Sequence, residues 1–354
     1  MNKTALYLLF ISAGLLILYF VLIIYVWFFR YFSEVTTKKV KEQLEKIVFS
    51  LFNTANIKVN MLQEVKEVQE LNSFVKNSAT RKESLINIII NYGDDFIENN
   101  HDLLMNLYEV TGIKTFLIKR LNSKSLFIKS LTCRQLGALK LNNTEAYIIK
   151  LSACKNNDVR YNVLLALAKL GDLKGLVYII TNNSYNIHIS YRAIIEIISA
   201  FNGSKEELFQ KIIELSDNYI KGISIKAAAD YKIESLRKYY IMYLNNDDKN
   251  LRIACIRALC ELENSDTEEY IINMLEDKDW EVRAAAAKSL ERIGTSNSFI
   301  SLAKTTGDRE WWVRHNAACT LILLQGGTEY ASKIIDGDDK YAREAVASAI
   351  ETID

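Results

Sequence analysis

A Val-Arg pair, or a near equivalent, returns along most of this chain at almost constant distance. Aligned on that pair, the first column reads Ile128, Val159, Tyr191, Ile225, Leu251, Val282, Val313 and Ala342. The second column reads Lys129, Arg160, Arg192, Lys226, Arg252, Arg283, Arg314 and Arg343. Successive spacings are 31, 32, 34, 26, 31, 31 and 29 residues. Self-similarity at such a period is the mark of stacked supersecondary units, none able to bury its apolar face alone. That excludes most compact folds before any other residue is considered.

The local pattern is helical. From each Val-like residue, apolar or small residues recur 3, 4, 7, 8 and 11 positions on, which is one stripe of a 3.6-residue helix. For Val282 they are Ala285, Ala286, Ser289, Leu290 and Ile293; for Leu251 they are Ala254, Cys255, Ala258, Leu259 and Leu262. The position four on is compact in most copies (Thr132, Ala229, Cys255, Ala286, Ala317), so neighbouring helices can approach closely. Between these helices lie amphipathic segments such as 204–220 and 265–277. Ser204 with Glu207 and Ser265 with Glu268 have capping-box spacing. The absence of Pro, where average usage predicts roughly 18, fits helices joined by short polar turns. The expected fold is all-α: a helical-hairpin solenoid of about eight repeats over 124–354, a helical region over 33–123, and an apolar N-terminal helix over 1–32.

The repeats resemble the short bacterial HEAT repeats, also called HEAT-like or phycobilisome-lyase-type repeats. An acidic or amide residue (Asn156, Asp248, Asp279, Glu310, Asp339) precedes two spacers, then Val-Arg and small residues. The chain departs where the family often places Pro, since Trp280 and Trp311 stand there, and in its 26-residue spacing before Leu251. The resemblance implies that the Arg/Lys column is structural, each cation reaching a carboxylate or carbonyl of an adjacent repeat. It also implies a surface for protein partners. The lead-in over 107–125 is similar to that of bacterial membrane-tethered HEAT proteins, some of which accompany polysaccharide-forming glycosyltransferases.

Helix geometry points to a binding face. Positions 2 before and 2, 5 and 9 after the Val-like residue lie opposite the core stripe, where a solvated helix carries charge. Here they read Ile253, Ile256 and Cys260, then Trp280, Ala284 and Ala287, then Trp311, His315, Ala318 and Ile322. The last repeat returns to Lys340, Glu344 and Glu351. We expect Ile253, Ile256, Trp280, Ala284, Trp311, His315 and Ile322 to line a concave partner-binding strip, unless other helices cover it.

Residues 5–29 contain no charge, and at 1.5 Å per residue they make about 38 Å of helix, enough to cross a bilayer core. Trp27 and Tyr31 sit where interfacial aromatics belong, and no small-residue cleavage site follows Phe29. Lys3 alone precedes the span, whereas Arg30, Lys38, Lys39 and Lys41 follow it, so the repeats are expected in the cytoplasm of a single-pass membrane protein. Five cysteines without CxxC spacing agree with a reducing compartment. Past the span, Val40, Leu44, Val48 and Leu51 form a stripe, and a second helical pattern covers Met61 to Val75.

Chemistry is hard to find. Phosphate loops, HExxH and GxSxG are absent. His101, His188 and His315 are scattered, so no metal or cofactor is expected. Asp336-Gly337-Asp338-Asp339 lacks the closing Glu of a calcium loop, since Ala347 stands there, and reads as a turn with an N-cap. Beyond residue 29 the chain holds equal numbers of basic and acidic residues, 43 of each, which argues against nucleic acid. The expected function is a membrane-tethered scaffold for a protein partner. The alternatives are a HEAT-like lyase or other enzyme subunit, which would need a pocket of clustered polar groups, and a nucleic-acid binder.

Overall fold

A computed structural model of the protein describes residues 3–53, 65–182, 190–262 and 265–353. Every regular element among them is a helix. The chain divides into two compact units, 1–148 and 149–354. The copy at Ile128 and Lys129, which the periodicity groups with the repeats from residue 124, falls in the first unit.

In the first unit, α1 (Lys3–Asn53) is one uninterrupted helix of 51 residues, about 76 Å long. It is the one described helix long and apolar enough to cross a membrane, and residues 11–32 of it lie exposed. Its far end behaves differently. Leu44, Val48 and Leu51 are fully buried, and α1 there packs on α2 (Lys66–Val75) and α3 (Ala79–Asn91). The stripe expected past the span is therefore a core face, and Phe52 meets Phe96 edge-on at 4.7 Å. The expected helical start at Met61 lies outside the described residues. The helices α4 (Asp94–Asn99), α5 (His101–Val110), α6 (Ile113–Leu121), α7 (Leu126–Ala138) and α8 (Glu145–Ile149) complete the unit. Gln135 and Arg120 both donate to the Glu83 carboxylate, tying α7 and α6 to α3.

The second unit opens with α9 (Asn157–Leu170) and continues as hairpins of a first and a second helix. They are α10 (Leu173–Thr181) with α11 (Tyr191–Ser199), and α12 (Lys205–Leu215) with α13 (Asn218–Asp230). Then come α14 (Arg237–Tyr243) with α15 (Lys249–Glu261), and α16 (Glu268–Asn273) with α17 (Trp280–Ile293). The last are α18 (Phe299–Thr305) with α19 (Trp311–Leu323), and α20 (Thr328–Ile335) with α21 (Lys340–Ile353). From α9 to α21 each second helix packs on the next, which makes a stack. In this unit the Val-like column is sealed at Val159, Ile225, Leu251, Val282 and Val313. Tyr191 is the exception, half-buried because its hydroxyl donates to the Asp230 carboxylate at 2.9 Å.

Local sequence explains where helices stop. The segment 204–220 is two helices and not one, because the Asp217 carboxylate accepts the Ile220 amide at 2.9 Å and starts α13 afresh. Gly171 ends α9 at φ +72°, and a β-carbon there would lie 2.5 Å from the Asn202 carbonyl oxygen. The short 26-residue spacing leaves the packing of α13 on α15 intact.

Candidate binding surface

The arginine column forms an ordered ladder over three hairpins. Arg252 is buried and grips Asp277 with Nε and Nη2, both at 2.8 Å, while Nη2 also reaches Asp279 at 2.7 Å. Arg283 repeats this on Asp308, at 2.7 and 2.9 Å. In each case Nη1 turns back to its own hairpin turn, to the carbonyl six residues earlier: Asn246 for Arg252 at 2.7 Å and Asp277 for Arg283 at 2.9 Å. Arg314 and Arg343 keep the same contact, to the Asp308 and Gly337 carbonyls at 2.8 and 3.3 Å. Asp277 and Asp308 thus accept one arginine through the side chain and the next through the main chain. The fork matches a carboxylate in both planarity and spacing, so each rung fixes the register of two hairpins.

The ladder is shorter than the column. Its acceptors sit five residues before the Val-like position, and only Asp277 and Asp308 supply carboxylates there. Lys226 instead lies over the Tyr191 ring at 4.3 Å. Arg192 is exposed, and Lys129 stands in the first unit. For Arg160 the corresponding residue, Asn186, is outside the described residues. Asp279 does not cap its helix, because Arg252 occupies its carboxylate; Asp248 and Asp339 do, accepting amides at 2.8 Å and 2.9 Å. Glu268 is likewise not a capping-box partner. Its buried carboxylate accepts from the Thr295 amide at 2.6 Å and from Ser298 at 2.5 Å in the following hairpin.

The apolar strip expected opposite the core is largely covered. Ile256, Cys260, Ala284, Ala287 and Ala318 are buried, so Ile256 and Ala284 are not presented to a partner. The reason is lateral: α15, α17 and α19 each have a second helix packed on both flanks, and small residues let those flanks close. Asn316 of α19 donates to the Ala284 carbonyl at 3.0 Å, and Thr320 to the Ala287 carbonyl at 2.9 Å. Ile322 is half-buried against the terminal cluster of Ala318, Ala331, Val346 and Ala349. Ile253 remains half-buried and lines a cavity of about 510 Å³ between α13 and α15, with Tyr219, Ile223, Lys226, Asp230 and Arg257.

What stays exposed lies where the second helices begin. Trp280 starts α17 and is 36% exposed; Trp311 and Trp312 start α19 at 51% and 57%; Tyr341, near the start of α21, is 61% exposed. Trp311 stacks on His315 at 4.9 Å and 9° and meets Trp312 edge-on at 4.6 Å. Trp312 and Tyr341 were missing from the sequence reading. Both occupy the position before the Val-like residue, a column that an opposite-face argument passes over.

Reactive groups are scattered or muted. Burial pushes the Cys260 thiol up to about 11 and raises Cys255 and Cys319 as well. Cys319 lies 3.6 Å from His315 Nε2, and no cluster of three metal-ligating side chains occurs among the described residues. His188 is outside those residues, while His101 meets Asn142 in the first unit at 3.1 Å.

Comparison with known proteins agrees with this geometry. Residues 240–322 match the HEAT repeats, and that stretch is the one holding both complete rungs of the ladder. No curated protein matches the chain. Among solved structures, a crystal structure of an engineered protein aligns at 16% identity over 91% of this chain and 95% of its own, with a TM-score of 0.34. That superposition is loose, and the likeness to HEAT repeats rests on the matched stretch 240–322. Such repeats fit a helical scaffold for protein interaction.

Proposed function

We propose that the chain is a membrane-tethered scaffold that docks a protein partner on the aromatic edge formed by Trp280, Trp311, Trp312 and Tyr341. The observation that carries this reading is the exposure of large aromatic side chains at the start of three successive second helices. Trp and Tyr anchors of that kind concentrate binding energy at interfaces. The apolar stretch of α1 is the proposed tether, and the basic residues after it favour repeats on the cytoplasmic face. Anchoring raises the effective concentration toward other membrane proteins, so a modest affinity suffices. The similarity of 107–125 to tethered HEAT proteins makes a polysaccharide-forming membrane glycosyltransferase the first partner class to try. No nucleic acid, cofactor or small-molecule substrate enters this proposal.

The test is the Trp280→Asp, Trp311→Asp double variant of the full chain in detergent. Both sites open a helix, where an acidic residue suits the dipole, so folding is expected to survive. The expected result is unchanged helicity and melting with loss of co-purifying membrane proteins. A large fall in melting temperature would show the tryptophans to be core and sink the proposal. A C-terminal reporter active only outside the cytoplasm should stay silent; a strong signal from it would overturn the orientation.

A further inference from the structure

The ladder ends on an unfilled fork. Arg314 is anchored like its two predecessors, with Nη1 on the carbonyls of Asp308 and Arg309 at 2.8 and 3.1 Å. In Arg252 and Arg283 the remaining edge, Nε with Nη2, holds a carboxylate from the next hairpin turn. For Arg314 the corresponding residue of that turn is Gly337, which has no side chain to offer. Asp339 does not substitute. Its Oδ1 accepts the amides of Tyr341 and Ala342, and it forms no ion pair with Arg314. Among the described residues nothing accepts from Nε or Nη2 of Arg314, and neither atom is sealed from solvent. The Tyr341 ring lies 5.3 Å from the guanidinium carbon, and the exposed pair Trp311 and Trp312 stands about one turn earlier on the same helix.

We propose that the open Nε/Nη2 edge of Arg314 is a receptor for an aspartate or glutamate side chain of a partner protein, which completes the ladder in trans. The argument is one of equivalence. The same backbone setting holds the same guanidinium twice in this chain, and both times the edge takes a carboxylate bidentately. Holding Nη1 on two carbonyls removes much of the rotamer freedom that binding would otherwise have to freeze. Aromatic neighbours supply apolar contact beside the charge, as in a mixed anchor site. The inference rests on the docking proposal above and names the chemistry of one contact within it.

The probe is a blocked peptide of residues 305–313 (TTGDREWWV), which carries the turn that fills the equivalent fork of Arg283, together with the same peptide bearing Asp308→Asn. Binding is read by fluorescence anisotropy on the full chain in detergent. The parent is expected to prefer the Asp peptide by roughly ten-fold, the scale of a charge-assisted bidentate contact. Arg314→Gln should abolish that preference. Gly337→Asp should abolish it too, by filling the fork in cis. A β-carbon at Gly337 meets nothing nearer than the Ile334 carbonyl oxygen at 3.3 Å, so the turn has to give only slightly. Equal binding of the two peptides by the parent, or a preference that survives Gly337→Asp, overturns the proposal. If the parent self-associates in sedimentation and Gly337→Asp separates it, the fork belongs to a second copy and the assignment to a foreign partner fails. A chain that keeps its co-purifying proteins through Trp280 and Trp311 but shows no Asp preference would sink the fork alone.

Discussion

Arg283→Met gives the sharpest measure of what the ladder does. The side chain is 7% exposed and its partner Asp308 13%, so the pair is shielded from water on both sides. Methionine restores the volume of the stem but strands the Asp308 carboxylate and frees the Asp277 and Lys278 carbonyls. Removing one partner of a buried ion pair costs about 3–5 kcal/mol, most of it from the charge left behind. For a unit of roughly 200 residues that corresponds to a fall in Tm of roughly 6–20 °C. The assay is chemical denaturation followed by tryptophan fluorescence, because three of the four tryptophans (Trp280, Trp311, Trp312) lie in the affected hairpins. Far-UV circular dichroism on the same samples reports every hairpin, and should move less, since repeat arrays can lose neighbouring units separately. Arg314→Met is the internal control: it strands no carboxylate, so about 1–1.5 kcal/mol is expected from its lost carbonyl contacts. If Arg314→Met cost as much as Arg283→Met, or if Arg283→Met cost under about 1 kcal/mol, the account of the ladder would be wrong.

Val282→Asp places an unpaired carboxylate at a fully buried position; a loss of several kcal/mol and joint melting of the flanking hairpins are expected by denaturation, and parental melting would refute the register. Cys154 and Cys319 are half-buried while Cys133, Cys255 and Cys260 are buried, so a thiol reagent should modify two of the five cysteines quickly and the rest only after denaturation, as counted by mass spectrometry. Burial works to raise Asp308, but the Arg283 hydrogen bond, the Glu310 amide and nearby positive charge outweigh it and hold its carboxyl below the usual value. A depressed carboxylate stabilises fully above its unfolded pKa, about 3.9, and loses that contribution as pH falls through the folded value. Asp308→Asn should therefore be less stable than the parent at pH 6, with the gap narrowing below pH 4 in urea titrations; a gap that widened in acid would contradict the sign.

Helix periodicity alone located the stack. Val159, Ile225, Leu251, Val282 and Val313 recur at the repeat period, with small residues four positions on in all but the first, and one helix face is all that burying such a stripe requires. The apolar run of α1 and the stripe Leu44, Val48 and Leu51 were legible for the same reason, since a period of 3.6 is a local property of the chain. Tertiary structure decided everything that depends on a second helix. Ile256 and Ala284 read as an open face because a helical wheel shows what opposes the core and not what flanks it, and in a stack the flanks are also covered. The acceptors of the ladder lie 25 residues beyond their arginines, a distance over which local pattern says nothing. Asp277 and Asp308, in place against Arg252 and Arg283, give the column five residues before each Val its meaning, and with it the glycine that leaves Arg314 open. Sequence specifies which surface a helix must bury, whereas the rest of its surface is assigned by neighbours brought alongside from elsewhere in the chain.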